Sequence, residues 1–212
     1  MQFSAAQVTG ATVLFVDLRG YTGLAEQLPP LRVVGLLDEF FDLLIRATER
    51  HGGEVFHMAG DAMMAGFGLR TPGHRCARDA LAAGHAMLRS FAPVGQRWRQ
   101  ELSVETGIGI GLHQGEVALG FHGPPGRQAT TLVGDTVNVA ARLCGRARAG
   151  EVLLSATVAA ALEVDVTLGA DGNVAEKPPQ AMQILHLPQL RLRGRSALID
   201  IWCVPALKRL AI

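Results

Sequence analysis

The feature that most constrains this sequence is a pair of apolar runs with almost nothing between them. EVFHM (54–58) and AMMAGFG (62–68) are joined only by Ala59, Gly60 and Asp61. A connection this short predicts a hairpin of two antiparallel strands, because a parallel pair needs a crossover of a dozen or more residues. Asp61 then lies at the hairpin tip, where a charge between two apolar runs indicates a functional role.

The rest of the chain mixes short apolar runs with helical periodicity. Further strands are predicted at 11–16, at 101–121 as two strands around His113, Gln114 and Gly115, and at 130–134, 151–155, 182–187 and 198–204. Helices are predicted at 31–53, at 73–91 closed by Pro93, at 135–147 opened by Asp135 or Thr136, and at 156–162.

Strands and helices do not alternate strictly along the chain. This order favours an α+β fold with a central, mainly antiparallel sheet flanked by helices over a doubly wound parallel sheet. A length of 212 residues predicts one compact domain over 1–212. The Pro- and Gly-containing stretch 168–180 is predicted to be a mobile surface loop within it.

Composition excludes several classes of protein. A formal net charge of +1 argues against nucleic-acid binding through a broad basic face. No apolar run reaches the roughly 18 to 20 residues that a membrane span needs, and the N-terminus lacks the features of a secretory signal. Three widely spaced cysteines without CxxC spacing indicate a reduced, cytoplasmic compartment.

A second carboxylate resembles Asp61 in its surroundings. Asp17 ends the first apolar run and precedes LRGYTGLAEQ, a glycine-containing turn that leads into a short predicted helix. Taken alone, Asp17 could simply cap that helix. Two carboxylates at strand ends, however, are what Mg²⁺ ions need to bridge a triphosphate, since hard cations prefer oxygen ligands.

Asn138 and Arg142 form the second candidate group. They are four residues apart and therefore share one face of the predicted 135–147 helix. An amide that binds a ribose oxygen and a guanidinium that binds a phosphate would suit phosphoryl transfer. An asparagine and an arginine on a solvated helix face are the alternative interpretation.

These stretches occur in the order of a known family. The motifs are VLFVDLRGYT, GGEVFHMAGDAMMAGFG, GIGLHQGEVALG and TLVGDTVNVAARL, followed by LRGRS. From about residue 11 to 205 the chain resembles the catalytic domain of class III nucleotidyl cyclases. Among these it is most similar in pattern to bacterial adenylyl cyclases with threonine at the second base-specifying position. The resemblance implies the ferredoxin-like fold of that catalytic domain.

The resemblance also implies an activity and a metal site. The activity is conversion of ATP to 3′,5′-cyclic AMP and pyrophosphate, by attack of the ribose 3′-hydroxyl on the α-phosphate with two Mg²⁺ or Mn²⁺ ions per site. Asp17, Asp61 and the carbonyl of Leu18 would bind the metals. The backbone N–H groups of Gly20, Tyr21 and Thr22 would contact the triphosphate.

By the same resemblance, the domain would be active only as a head-to-tail homodimer whose sites are built from both protomers. Asn138 of the opposite protomer would orient the ribose, and Arg142 would stabilise the charge that develops at the α-phosphate. No nucleic acid or membrane is expected as a partner of this chain.

The departures from the family pattern concern the base and the phosphates. His57 stands where adenylyl cyclases usually have lysine, and Thr131 stands at the second base-specifying position. Gly109 replaces a triphosphate-contacting arginine that some members have. Arg193 or Arg195, with Arg195 preferred, would be a basic phosphate ligand. His113 recurs in the family and is interpreted as structural.

Three functional hypotheses therefore remain open. The first is a working adenylyl cyclase. The second is a catalytically weak or inactive module that binds a nucleotide or dimerises, which His57 and Gly109 favour. The third is a cyclase with a relaxed or different base preference, and His57 could also be a structural residue of the dimer interface that contacts no base.

Overall fold

The computed structural model describes residues 7–70, 75–123, 128–167, 184–191 and 198–205. Within these ranges the chain forms eight strands and five helices. The strands are β1 Gln7–Arg19, β2 Glu54–Ala59, β3 Ala62–Phe67, β4 Gly107–His122, β5 Ala129–Val133, β6 Glu151–Ser155, β7 Leu185–Arg191 and β8 Leu198–Pro205. The helices are α1 Tyr21–Gln27, α2 Pro30–Arg50, α3 Arg75–Leu102, α4 Asp135–Cys144 and α5 Ala156–Thr167.

All eight strands belong to one sheet with the order β2-β3-β1-β4-β6-β8-β7, and β5 pairs with β4 beside this path. The β4–β6 pair is parallel, whereas the other pairs are antiparallel. The predicted α+β fold with a mainly antiparallel sheet is confirmed. The predicted hairpin is also present, since β2 and β3 are separated by Gly60 and Asp61 alone.

Helices cover both faces of the sheet. Helices α2, α3 and α5 pack on one face, over a cluster that includes Leu14, Val16, Phe40, Leu81, Trp98, Ile110 and Val158. Helix α4 packs on the other face, over a cluster that includes Ala11, Val13, Met64, Val117, Leu132 and Ala140. Side chains alternate between the two faces along β1. Asp17 therefore shares the α4 face with Val13 and Phe15.

Two predicted boundaries were wrong because packing between elements outweighs the local sequence signal. The segment around His113 to Gly115 is not a turn, because β4 runs without a break from Gly107 to His122. A Cβ on Gly115 would lie 2.7 Å from Oγ1 of Thr136, so this glycine allows α4 to approach the sheet. Close packing between elements, rather than a turn, explains the glycine there.

The second wrong boundary is at Pro93. Helix α3 continues through this proline to Leu102. Its apolar stripe also continues, since Phe91 and Trp98 are buried and their rings meet edge to face at 5.6 Å. Burial of two aromatic side chains, each worth roughly 1.5 to 3 kcal/mol or more, offsets the hydrogen bond that proline cannot donate.

Helix α4 is shorter than predicted and begins differently. It ends at Cys144 rather than 147, and its N-cap is Gly134 rather than Asp135 or Thr136. The hydroxyl of Thr136 donates instead to the carbonyl of Glu116, at 2.6 Å, on strand β4. This bond fixes the first turn of α4 to the sheet.

Candidate active site

The two candidate metal-binding aspartates lie side by side at one end of the sheet. Asp17 on β1 pairs with Ala62, the first residue of β3. Asp61 directly precedes Ala62 and lies in the turn between β2 and β3. The backbone N–H of Leu18 donates to the carbonyl of Asp61 at 3.2 Å. Antiparallel pairing of β1 with β3 thus brings together two carboxylates that are 44 residues apart in sequence.

The electrostatics of this pair favour a bound cation. Burial raises the pKa of Asp17, and the neighbouring Arg19 guanidinium opposes this effect. Burial also raises the pKa of Asp61, and the negative charge of Asp17 raises it further. A divalent cation between the two carboxylates would remove their repulsion and replace the water that burial excludes.

The donor set fits a hard divalent cation. Among the described residues, no group of three or more His, Cys, Asp or Glu side chains could hold a metal, so the protein offers the two carboxylates alone as charged ligands here. Two carboxylates, with a backbone carbonyl such as that of Leu18, leave the other positions to water and phosphate oxygens. Mg²⁺ and Mn²⁺ accept such partial protein coordination.

We expect Asp61→Asn to raise the thermal unfolding midpoint of the metal-free protein at about pH 7.5, because burial disfavours the charged carboxylate. The native state binds the Asp61 proton more tightly than the unfolded chain, whose pKa is about 3.8. Ionised Asp61 therefore destabilises the native state, and the full cost is present above the native pKa. The cost disappears as the pH falls from the native pKa to about 3.8. The amide carries no charge and avoids the cost.

Thermal melts of both proteins at falling pH values measure this effect. The difference in unfolding midpoint between the variant and the native protein should become smaller as the pH falls. Mn²⁺ should raise the midpoint of the native protein only, because a ligand stabilises the state that binds it. Asp38→Asn, at an exposed position on α2, is the control and should show no gap. A gap that widens in acid would contradict the prediction.

The predicted phosphate-binding segment lies between β1 and α1. Gly20 has a φ of 85° and is the N-cap of α1, and no side chain caps the helix. A Cβ on Gly20 would overlap the carbonyl oxygen of Glu105, so the turn requires glycine. The backbone N–H groups of Gly20, Tyr21 and Thr22 lie three to five residues after Asp17. Their contact with phosphate stays a prediction.

Asn138 and Arg142 both lie on α4. Asn138 is exposed and Arg142 is half-buried, whereas the buried stripe of the helix consists of Thr136, Val139, Ala140, Leu143 and Cys144. Val137 and Ala141 are only half-buried. Arg142 forms no ion pair with any of the described residues.

The two candidate base-specifying residues are on β2 and β5, which do not pair with each other in the sheet. His57 is exposed on β2, an edge strand, and Thr131 is half-buried on β5. His57 pairs with Met64, which pairs with Phe15 on β1, so His57 shares the sheet face of Asp17. Phe56 and Leu132, the neighbours of these residues in sequence, both pack near Gly66. These contacts bring β2 near β5, and a shared base site for His57 and Thr131 stays a prediction.

The remaining predicted residues are two arginines near the C-terminus and His113. Arg193 and Arg195 lie outside the described residues, so their role as phosphate ligands stays a prediction. Nδ1 of His113 lies 2.8 Å from Oγ of Ser155, and Thr157 donates to the carbonyl of Gln114 at 2.8 Å. These contacts join β4 to the start of α5, in keeping with a structural role for His113.

One residue of this region was not singled out from the sequence. Arg19 forms an ion pair with Asp17 through its Nη1 and the Oδ1 of the carboxylate. Its Nε also donates to the carbonyl of Ala147 at 3.0 Å, just beyond the end of α4. The sequence did contain a signal for this ion pair. Asp17 and Arg19 are two residues apart, and residues i and i+2 of a strand lie on the same face.

The family of the chain is now clear. The sequence profile of the adenylate and guanylate cyclase catalytic domain matches residues 3–187, and the chain therefore belongs to this family of class III nucleotidyl cyclases. An adenylate cyclase of Anabaena cylindrica is 32% identical over 154 residues, which are 68% of this chain and 29% of that protein. Adenylate cyclase 1 of Rhizobium meliloti is 26% identical over 198 residues, 93% of this chain and 28% of that protein.

Solved structures agree with this assignment. The adenylyl cyclase CyaB from P. aeruginosa superposes with a TM-score of 0.84 at 26% identity, covering 97% of this chain and 98% of that one. The guanylyl cyclase Cya2 superposes with a TM-score of 0.79 at 25% identity, covering 97% and 96%. The resemblance found in the motifs is confirmed. Relatives of both base specificities occur, so the family alone does not decide between ATP and GTP.

The chain spans less than a third of the length of the curated relatives described above. Across the described ranges, no helix is both long enough and apolar enough to cross a bilayer.

Proposed function

We propose that this chain is an adenylate cyclase that converts ATP to 3′,5′-cyclic AMP and pyrophosphate. The observation that carries the proposal is the adjacency of Asp17 and Asp61 in a chain of the nucleotidyl cyclase family. The two partly buried carboxylates repel each other unless a cation lies between them. The proposed cations are two Mg²⁺ or Mn²⁺ ions per site.

Asp17, Asp61 and the carbonyl of Leu18 would hold these ions. When bound, the ions lower the pKa of the ribose 3′-hydroxyl and neutralise the leaving pyrophosphate. The N–H groups of the Gly20–Thr22 segment bind the triphosphate next to the carboxylates. Because the left-handed Gly20 fixes this turn, its N–H groups need little reorganisation when the phosphates arrive.

The groups on α4 complete the site from a second protomer. Asn138 donates to a ribose oxygen and fixes the sugar, while the guanidinium of Arg142 meets the charge that grows at the α-phosphate. The proposed assembly is a head-to-tail homodimer with two shared sites. The exposed side chain of Asn138 and the half-buried Arg142, which forms no ion pair with a described residue, support this assignment.

His57 and Thr131 are proposed to select adenine. A ring N–H of His57 can donate to N1 of adenine, and the hydroxyl of Thr131 can accept from the N6 amine. Guanine presents a donor at N1 and needs an acceptor for its amine, which this pair supplies poorly. Histidine is a shorter donor than lysine, so we expect the preference for ATP over GTP to be weaker by about 1 to 2 kcal/mol than with lysine at this position.

The test is a turnover assay with each of the four nucleoside triphosphates, in Mg²⁺ and in Mn²⁺. We expect cyclic AMP and pyrophosphate to form fastest, with GTP as the main competitor. His57→Lys should raise the ratio of ATP to GTP turnover about tenfold. The matched control is His51→Lys, at the end of α2, which should leave the ratio unchanged. Absence of a cyclic product from all four nucleotides would refute the proposal.

A second function is favoured by one specific observation. Some family members have a phosphate-binding arginine at the position of Gly109, and glycine has no side chain to replace it. The absence of this arginine would weaken catalysis more than nucleotide binding. The alternative is therefore a module that binds a triphosphate without turning it over. Calorimetric binding of ATP without product, in native protein and in His57→Lys alike, would establish it.

A further inference from the structure

We propose that Arg19 is a positioning residue that holds the carboxylate of Asp17 in its metal-binding orientation and anchors it to the end of α4. The inference rests on the proposed function, since it gives Asp17 the metal-binding role. It assigns a purpose to both Arg19 and Gly109.

The contacts of Arg19 connect three elements. Nη1 donates to Oδ1 of Asp17 on the same strand. Nη2 donates to the carbonyl of Cys144, the last residue of α4, and Nε donates to the carbonyl of Ala147 at 3.0 Å. A guanidinium has its donors in a rigid fork, so fixing two of them on backbone carbonyls fixes the direction of the third.

This geometry divides the two oxygens of Asp17 between two partners. Oδ1 accepts from Arg19, which leaves Oδ2 as the oxygen that meets a cation. An unrestrained aspartate would have to lose side-chain rotation when the metal binds, at a cost in affinity. The side chain of Asp17 is 31% exposed and that of Arg19 is 26% exposed, so solvent screens the pair only in part.

Gly109 provides the space that Arg19 occupies. Gly109 lies directly opposite Asp17 in the β1–β4 pairing. A Cβ at this position would lie 2.6 Å from Nη2 and 2.8 Å from Nε of Arg19, and 2.8 Å from the carbonyl oxygen of Ala147. Any side chain at 109 would therefore displace the guanidinium from its carbonyl acceptors. The absence of a side chain at 109 and the position of Arg19 are two parts of one arrangement.

The acceptors of Arg19 are consistent with a fixed anchor. The carbonyls at the end of a helix carry partial negative charge and attract a cation. The nearby thiol of Cys144 donates to the carbonyl of Gly109 at 3.3 Å. Burial raises the pKa of this thiol to about 12, so it stays neutral and does not compete with Asp17 for the guanidinium.

The experiment measures Mn²⁺ affinity of the whole chain by calorimetry, without nucleotide. Removing a positive charge beside a cation site would by itself tighten metal binding. A positioning role predicts the opposite sign, and we expect Arg19→Met to weaken Mn²⁺ binding about tenfold. Arg19→Lys keeps the charge but lacks the fork, so it should weaken binding about threefold. Arg46→Met, which removes an exposed partner of Asp42 on α2, should change nothing.

A double-mutant cycle tests whether Gly109 acts through Arg19. Gly109→Ala alone should weaken Mn²⁺ binding as Arg19→Met does, and it should add little in the Arg19→Met background. Thermal melts show that each variant is folded, and Arg19→Lys carries the test if Arg19→Met is not. Unchanged or tighter Mn²⁺ binding in the Arg19 variants, or fully additive effects in the cycle, would overturn the inference.

The outcome is separable from that of the proposed function. If Asp17→Ala abolishes Mn²⁺ binding while the Arg19 variants bind as the native protein does, only the role of Arg19 is wrong. If Asp17→Ala itself leaves Mn²⁺ binding unchanged, the metal site is wrong, and the proposed function fails together with this inference.

Discussion

Asp17→Ala and Arg142→Ala should each be inactive alone and regain activity when they are mixed. Loss of a metal-binding carboxylate or of the guanidinium at the α-phosphate should lower turnover about a thousandfold or more. In a shared-site dimer, the mixed dimer has one site with both residues missing and one site with both intact. Random pairing makes half of the dimers mixed, so the mixture should reach about a quarter of native activity.

The control for this experiment is a second mixture. Asp17→Ala and Asp61→Ala both damage the carboxylate half of a site, so each site of their mixed dimer is defective and no activity should return. Subunit exchange is verified by differently tagged protomers. Recovery in the control mixture, or no recovery in the first mixture when mixed dimers are present, would contradict a site shared across protomers.

The sequence was sufficient for the parts of the fold that depend on local pattern. The three-residue connection between EVFHM and AMMAGFG predicted an antiparallel hairpin, and Asp17 and Asp61 could be singled out because each follows an apolar run and adjoins a glycine-containing turn. The helix that carries Asn138 and Arg142 was predicted from an N-cap at Asp135 or Thr136 and a terminating glycine, although its N-cap in the structure is Gly134. In each case the controlling interactions lie within a few residues along the chain.

The sequence was insufficient where contacts between distant elements decide. Gly115 was interpreted as a turn residue, whereas its function is to let Thr136 approach β4. Pro93 was interpreted as a helix end, although packing of Trp98 extends α3 past it. The contact of Arg19 with Ala147 spans 128 residues, and no periodicity in the sequence reports such a pairing.

Gly111→Ala should destabilise the protein strongly and also lower its activity. Gly111 lies on β4 beneath α4, and a Cβ there would lie 2.5 Å from the carbonyl oxygen of Ala140 and 2.8 Å from the Cα of Cys144. These are backbone atoms of α4, so no side-chain rotation relieves the overlap. Overpacking of this kind costs about 1 to 3 kcal/mol or more, a large part of the roughly 5 to 15 kcal/mol of a typical domain.

The activity should fall further than the loss of stability explains, because the helix that must move carries Asn138 and Arg142. A shift of about 1 Å in a catalytic group can cost on the order of a hundredfold in rate. Gly35→Ala on the exposed side of α2 is the matched control, since its Cβ meets nothing within 4 Å and it should stabilise the helix by about 0.5 to 1 kcal/mol. Urea unfolding and turnover at a temperature where both variants are folded separate the two effects. Native activity in folded Gly111→Ala would mean that the position of α4 does not set the rate, and Arg142 would lose its proposed role.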